Sequence, residues 1–163
     1  MSSSSNLRPF LKWAGGKRQL IPEIKKNYPS ILVDGQIDTY IEPFLGGGAV
    51  FFDILNNYNL KKIIVNDINR DLIFTYQVIR DSCSHLIKLL NTYEKEYIPL
   101  NDENRKNYYY SKRELYNKIK SESDNANEPH SKKTILLSSL FIFLNRTCFN
   151  GLYRLNKKGE FNV

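Results

Sequence analysis

Three consecutive glycines, Gly46 to Gly48, stand between a short apolar, β-prone run at residues 39–41 and a second apolar run with helical character. Glycine takes positive φ readily and lets a backbone approach a ligand with no Cβ in the way. A triple glycine at a strand-to-helix turn therefore suits a nucleotide-like group. Three ligands compete for it. A P-loop needs Gly, four residues, then Gly-Lys-Ser/Thr; around the only Gly-Lys pair, Gly16-Lys17, the leading position is Leu11 and the next residue is Arg18, so both tests fail. A dinucleotide fingerprint needs a third glycine three positions after Gly48, where Phe51 stands. The remaining pattern is Phe44, Gly46 and Gly48, followed about twenty residues later by Asp67, and it suits an adenosine ligand without pyrophosphate. The Asp67 carboxylate can accept hydrogen bonds from both ribose hydroxyls. S-adenosylmethionine is such a ligand, and a plain structural turn is the competing reading.

Composition narrows the classes. The 163 residues suffice for one domain with a core, and 41% hydrophobic content is ordinary for a globular protein. The longest apolar run, about residues 134–144, is too short to span a bilayer, and the serine-rich start has no signal-peptide core, so a cytoplasmic protein is expected. Cys83, Cys148, His85 and His130 fit no metal or redox spacing. The net charge of +7 favours a polyanionic partner. Its distribution says more: residues 8–26 hold six bases against one acid and residues 145–163 hold four against one, whereas residues 34–71 hold six acids against three bases. A merely solvated basic face is the bland alternative.

The elements that would position these groups follow from pattern. Residues 17–28 predict a helix, delayed by Pro22 and stopped by Pro29, and residues 30–38 read as a loop. A strand at 39–41, the glycine turn, a helix to about residue 56 and a β-branched strand at 61–66 come next. Asn69 can cap a long helix carrying Leu72, Ile73, Tyr76, Ile79, Leu86, Leu89 and Leu90 at helical spacing. Strand, helix, strand, helix argues for a parallel βαβ unit. Residues 93–133 turn to Asn, Lys, Glu, Ser and Tyr and read as an insertion outside the core, with a helix near 109–120 and a polar loop over 121–131. Residues 134–145 suit a buried helix or a pair of buried strands. Asn150-Gly151 and Lys158-Gly159 are turn signals, the second closing a basic hairpin between 152–155 and 160–163.

Four strings, PFLKWAGGKRQL, EPFLGGGAVFF, NDIN and NRTCFNGLYRLNKKGEFNV, resemble in content and order the Dam-like (D12 class) DNA adenine N6-methyltransferases. The resemblance runs from about residue 9 to residue 163, weakest in the polar insert. It implies an α/β fold: the start of a Rossmann-like S-adenosylmethionine-dependent methyltransferase fold, with an inserted, mainly helical DNA-recognition region ending in a β-hairpin. The implied organisation is a disordered tail at 1–7, the N-terminal part of the methyltransferase domain at 8–92 and an incomplete recognition region at 93–163. The positions matching Trp13 and Lys17 contact S-adenosylmethionine in the family, and Asp67 matches the ribose-binding acid. Lys12, Asn150, Leu152 and Arg154 match positions that contact double-stranded DNA, in GATC for the nearest kin. Leu152 can touch a thymine methyl and Arg154 can grip guanine O6 and N7, although an arginine on a basic hairpin more often meets phosphate.

The family transfers the methyl group with an Asp-Pro-Pro-Tyr motif that binds and stacks on the flipped adenine. The six prolines here, at positions 9, 22, 29, 43, 99 and 129, include no adjacent pair. The expectation is a truncated N-terminal portion holding much of the cofactor site and part of the DNA-reading surface, inactive alone. A C-terminal segment carrying the motif is the partner it would lack. A non-catalytic DNA-binding module, or one half of a split methyltransferase, are the alternatives.

Overall fold

The computed structural model describes residues 6–122 and 131–163, and the chain divides into two compact units, Met1–Ile68 and Asn69–Val163. Each has its own logic of burial.

The first unit contains a short helix α1 (Ile21–Lys25), a single helical turn α2 (Ser30–Val33), strand β1 (Thr39–Glu42), helix α3 (Ala49–Asn57) and strand β2 (Lys62–Val65). The strands are parallel, with Thr39 beside Lys62 and Glu42 beside Val65. The expected βαβ unit is present, as a two-stranded sheet. The helix expected over 17–28 is shorter: Arg18–Leu20 form a 3-10 turn, and α1 starts only where Pro22 can occupy its first positions without a lost N–H bond. The expected loop at 30–38 begins with α2, whose Leu32 is buried. Asp53 on α3 gathers the preceding segment, accepting from the Tyr28 hydroxyl (3.1 Å) and pairing with Lys25 (2.9 Å). Asn56 does the same for the chain start, bonding both the N–H and the carbonyl of Leu7. Asn56 also donates to Asn6 Oδ1 (2.9 Å), and of the tail expected over residues 1–7 only residues 1–5 lie outside the described residues.

The second unit is helical: α4 (Arg70–Tyr97), α5 (Asp102–Ser121) and α6 (Lys132–Thr147). Helix α6 packs on both α4 and α5 and is buried nearly all round from Thr134 to Leu144, the signature of a central helix. That resolves residues 134–145 as a helix. Asn69, Asn101 and Ser131 cap the three helices, each side chain accepting from an N–H three residues on. Helix α4 departs from helical geometry at Ser82 (φ −140°, ψ 31°).

The described residues among 93–133 do not lie outside the core. Tyr93 and Tyr116 are buried, and Tyr97, Tyr108 and Phe143 meet edge to face or tilted at 5.3–5.8 Å. Tyr93 and Tyr116 carry a large apolar ring into the core while Glu94, Lys95, Glu96 and Asn104 are exposed. The polar loop expected over 121–131 lies mostly outside the described residues.

The expected hairpin reduces to one antiparallel bridge, Leu155 with Phe161. Asn117 on α5 takes the place of a neighbouring strand, its Oδ1 accepting from Phe161 N–H (2.8 Å) and its Nδ2 donating to the Phe161 carbonyl (3.1 Å).

Among the described residues no helix is long and apolar enough to cross a membrane, and no group of three His, Cys, Asp or Glu could hold a metal ion. Phe141, 1% exposed on α6, is a keystone of the second unit. Phe141→Ala should cost about 3–5 kcal/mol, against about 1 kcal/mol for uncapping α4 with Asn69→Ala. Urea titrations followed by circular dichroism check the ranking; equal losses would contradict it.

Candidate functional site

The first unit builds a turn where β1 ends. Hydrogen bonds run from Asn66 N–H to the Glu42 carbonyl (2.8 Å) and from Leu45 N–H to the Asn66 carbonyl (2.9 Å), so parallel pairing continues past the strands. One step further the Asp67 carboxylate accepts from Gly46 N–H at 2.8 Å. The acid at the end of β2 thus closes the glycine turn at the end of β1. Gly46 (φ 50°) and Gly48 (φ 75°) both occupy the left-handed region, which a side chain would strain. Gly48 then caps α3, with Phe52 N–H donating to its carbonyl.

The indole of Trp13 lies against this turn. A Cβ added at Gly46 would stand 3.2 Å from Trp13 Cδ1, and one at Gly47 would stand 3.1 Å from Trp13 Cβ. At Gly46 a side chain is disfavoured by this neighbour as well as by φ. Phe44 is 85% exposed beside the turn, an unusual position for a ring with no polar atom. Lys17 is exposed and donates to the Gly15 carbonyl at 2.7 Å, and Lys12 is exposed. Trp13, Gly46 and Asp67 therefore come together at one turn.

Glu42 is a half-buried carboxylate that the residue pattern did not single out. Burial raises its pKa above the ordinary 4.5, opposed by hydrogen bonds from the Tyr40 hydroxyl (2.7 Å) and the Phe51 N–H. Burial, with Glu42 adjacent, holds the Tyr40 phenol protonated.

In the second unit the segment after α6 is shaped by a buried side chain. Asn145, fully buried, donates to the Gly151 carbonyl (3.1 Å). Asn150 (φ 54°) and Gly151 (φ 65°) are both left-handed, so the Asn-Gly turn signal is realised. Phe149, 76% exposed, precedes them, and Asn150, Leu152 and Arg154 are exposed while Tyr153 turns inward. Arg154 spends its Nε and Nη2 on the Asn162 carbonyl, at 3.2 and 3.0 Å. That contact could not be read from residue types, because its acceptor is backbone.

The chain matches the D12 class N6 adenine-specific DNA methyltransferases over residues 13–163. It is 47% identical over 157 residues to the type II methyltransferase M.MjaIII of Methanocaldococcus jannaschii, covering 96% of this chain and 51% of that one. It is 39% identical over 156 residues to a DNA adenine methylase of Haemophilus influenzae (96% and 46%) and 36% identical over 158 residues to the type II methyltransferase M1.LlaDCHI of Lactococcus lactis (97% and 47%). The chain belongs to the D12 class of adenine-specific DNA methyltransferases. It spans about half the length of the curated relatives it matches.

Gly46→Ala combines a left-handed φ with a clash on Trp13, so a loss of about 1–3 kcal/mol is expected. Trp13 is the sole tryptophan, and its emission should shift in the same variant; unchanged emission and stability would remove the close-packing argument. Glu42 supplies a pH test. With its folded pKa raised, its contribution to stability is full below pH 4.5 and is lost as pH rises through the raised value. Glu42→Gln should therefore lose less stability than the parent as pH climbs from 4.5, measured by denaturant titration across that range.

Proposed function

We propose that this chain supplies the S-adenosylmethionine site and the first part of the DNA-reading surface of a cytoplasmic, site-specific DNA adenine N6-methyltransferase acting at GATC. The observation that carries the reading is the Gly46–Asp67 bond closing a Cβ-free turn against Trp13, in a chain of this family. A turn lacking Cβ atoms, flanked by an exposed ring and an indole, fits a flat adenosine group better than an extended pyrophosphate. When bound, S-adenosylmethionine supplies an electrophilic methyl group on its sulfonium.

The chain's own residues bind and orient. Asp67 retains acceptor capacity for ribose hydroxyls while its Oδ2 fixes Gly46. Phe44 and Trp13 offer apolar surface to the adenosine, with Gly46 and Gly48 admitting it, and the Lys17 ammonium serves as a point charge for the methionine carboxylate. Residues 93–163 act as the DNA-recognition region, beginning the double-stranded DNA contacts of Asn150, Leu152 and Arg154; Lys12, in the first unit, is a DNA contact in its own right. For Arg154 to present its Nε/Nη2 edge to a guanine, it must first release the Asn162 carbonyl.

A segment carrying Asp-Pro-Pro-Tyr completes the enzyme in this reading. The half-length span supports it, as do Ile41 and Ile64, adjacent in register and exposed on one sheet face. Two experiments test the proposal. Titration with S-adenosylmethionine should change Trp13 emission in the parent and fail to do so in Asp67→Ala; an identical response in both would sink the assigned cofactor site. Incubated with labelled S-adenosylmethionine and a GATC duplex, the chain alone should transfer no label, while it should retain duplex affinity that falls as salt rises. Label transfer above background would refute the need for a completing segment.

A further inference from the structure

One carboxylate in the second unit collects three separate stretches of chain. Asp71, in the first turn of α4, accepts from the Tyr153 hydroxyl at 2.7 Å and from Lys120 Nζ at 2.6 Å, both on Oδ2. Lys120, near the end of α5, also reaches the Tyr153 oxygen at 3.5 Å. Asn69, the cap of α4, hydrogen-bonds the same phenol. The Tyr153 ring is clasped edge to face between Phe141 of α6 (5.3 Å) and Phe161 (5.7 Å).

Tyr153 sits between Leu152 and Arg154. In an extended segment successive side chains point to opposite sides, and here Leu152 and Arg154 are exposed while Tyr153 is turned in. We propose that Tyr153, held by Asp71 and Lys120, is a positioning residue that sets which way Leu152 and Arg154 face. The inference rests on the proposed reading of those two side chains as DNA contacts, but the pin itself is a property of the free chain.

The chemistry explains why a tyrosine serves here. A phenylalanine would fill the same slot between Phe141 and Phe161 but could slide along it and rotate about the segment axis. The hydroxyl adds one directional, charge-assisted bond to a carboxylate whose own position is set by a helix cap and an ion pair, so rotation costs that bond. Lys120 remains to neutralise Asp71 when the hydroxyl is removed. Tyr153→Phe is therefore a cleaner test than any change at Asp71, which would strand the ammonium of Lys120.

The test uses the full 163-residue chain and two variants, Tyr153→Phe and Tyr93→Phe. Tyr93 is the control: it is buried on α4 and its hydroxyl meets Ser139 Oγ at 3.1 Å, away from Asp71 and Tyr153. Hydrogen exchange of the amides of residues 150–155 should speed up about tenfold or more in Tyr153→Phe while the α6 amides stay protected, corresponding to about 1.4 kcal/mol in local opening. Tyr93→Phe should leave the segment's exchange at the parent level. In parallel, the preference for a GATC duplex over a scrambled one should drop about tenfold in Tyr153→Phe, with the salt dependence of scrambled-duplex binding unchanged, because base reading is lost and phosphate contact is kept. Parent-like exchange and parent-like preference in Tyr153→Phe would overturn the proposal, as would an equal response in Tyr93→Phe. A parent chain with no preference between duplexes overturns the DNA reading itself, and the exchange comparison then upholds or overturns the pin alone.

Discussion

The hydrogen bond from Gly46 N–H to Asp67 is the constraint on which the first unit turns. Two parallel strands of four residues each offer few ladder bonds, and parallel pairing is the weaker kind per residue. The bonds beyond the strands, Asn66 to Glu42, Leu45 to Asn66 and then Gly46 to Asp67, extend the pairing into the turn. The last of these is ionic on the acceptor side and so the strongest in kind. It also fixes the direction of the backbone at Gly46, where an added Cβ would crowd Trp13 at 3.2 Å. The turn is thus a consequence of strand closure and indole packing together.

The second unit is organised by a different necessity. Helix α6 has apolar side chains on every face, so it must be surrounded, and α4 and α5 do the surrounding. Two of its buried polar residues are paired across the unit, whereas the Ser138 hydroxyl has no hydrogen-bond partner among the described residues. Ser139 Oγ meets the Tyr93 hydroxyl at 3.1 Å, and Asn145 donates to Gly151. The second bond does more than satisfy a buried amide: it carries the order of the helix into the segment that follows.

What could be read from residue types was what is decided locally. The glycine turn, the Asn69 cap and the Asn150-Gly151 turn all depend on one or two residues and their backbone, and all three were legible. The inward stripe of α4 was legible only in part: Leu72 and Leu86 were read from the spacing, whereas Thr75 and Val78, also buried, were not, and Thr75 is admitted because its hydroxyl donates to the Asp71 carbonyl one turn back. The tyrosines of residues 93–116 misled for a related reason, since their polarity belongs to a single atom and their area to the ring. Asn117 mimicking a strand for Phe161 is a tertiary substitution that no periodicity announces.

Both candidate regions place left-handed residues immediately beside a rigid element. Gly46 and Gly48 precede α3; Asn150 and Gly151 follow α6. A backbone in that region turns sharply and exposes its neighbours, here Phe44 at 85% and Phe149 at 76%. An exposed ring costs hydration free energy that a solitary monomer gains nothing from, roughly 25 cal/mol for each Å² left in water. Each ring is held out by a turn that is itself anchored by a specific bond, Gly46 to Asp67 in one case and Asn145 to Gly151 in the other. These bonds order both turns in the free chain, so a ligand that met either turn would lose less conformational entropy on binding than one that had to order it.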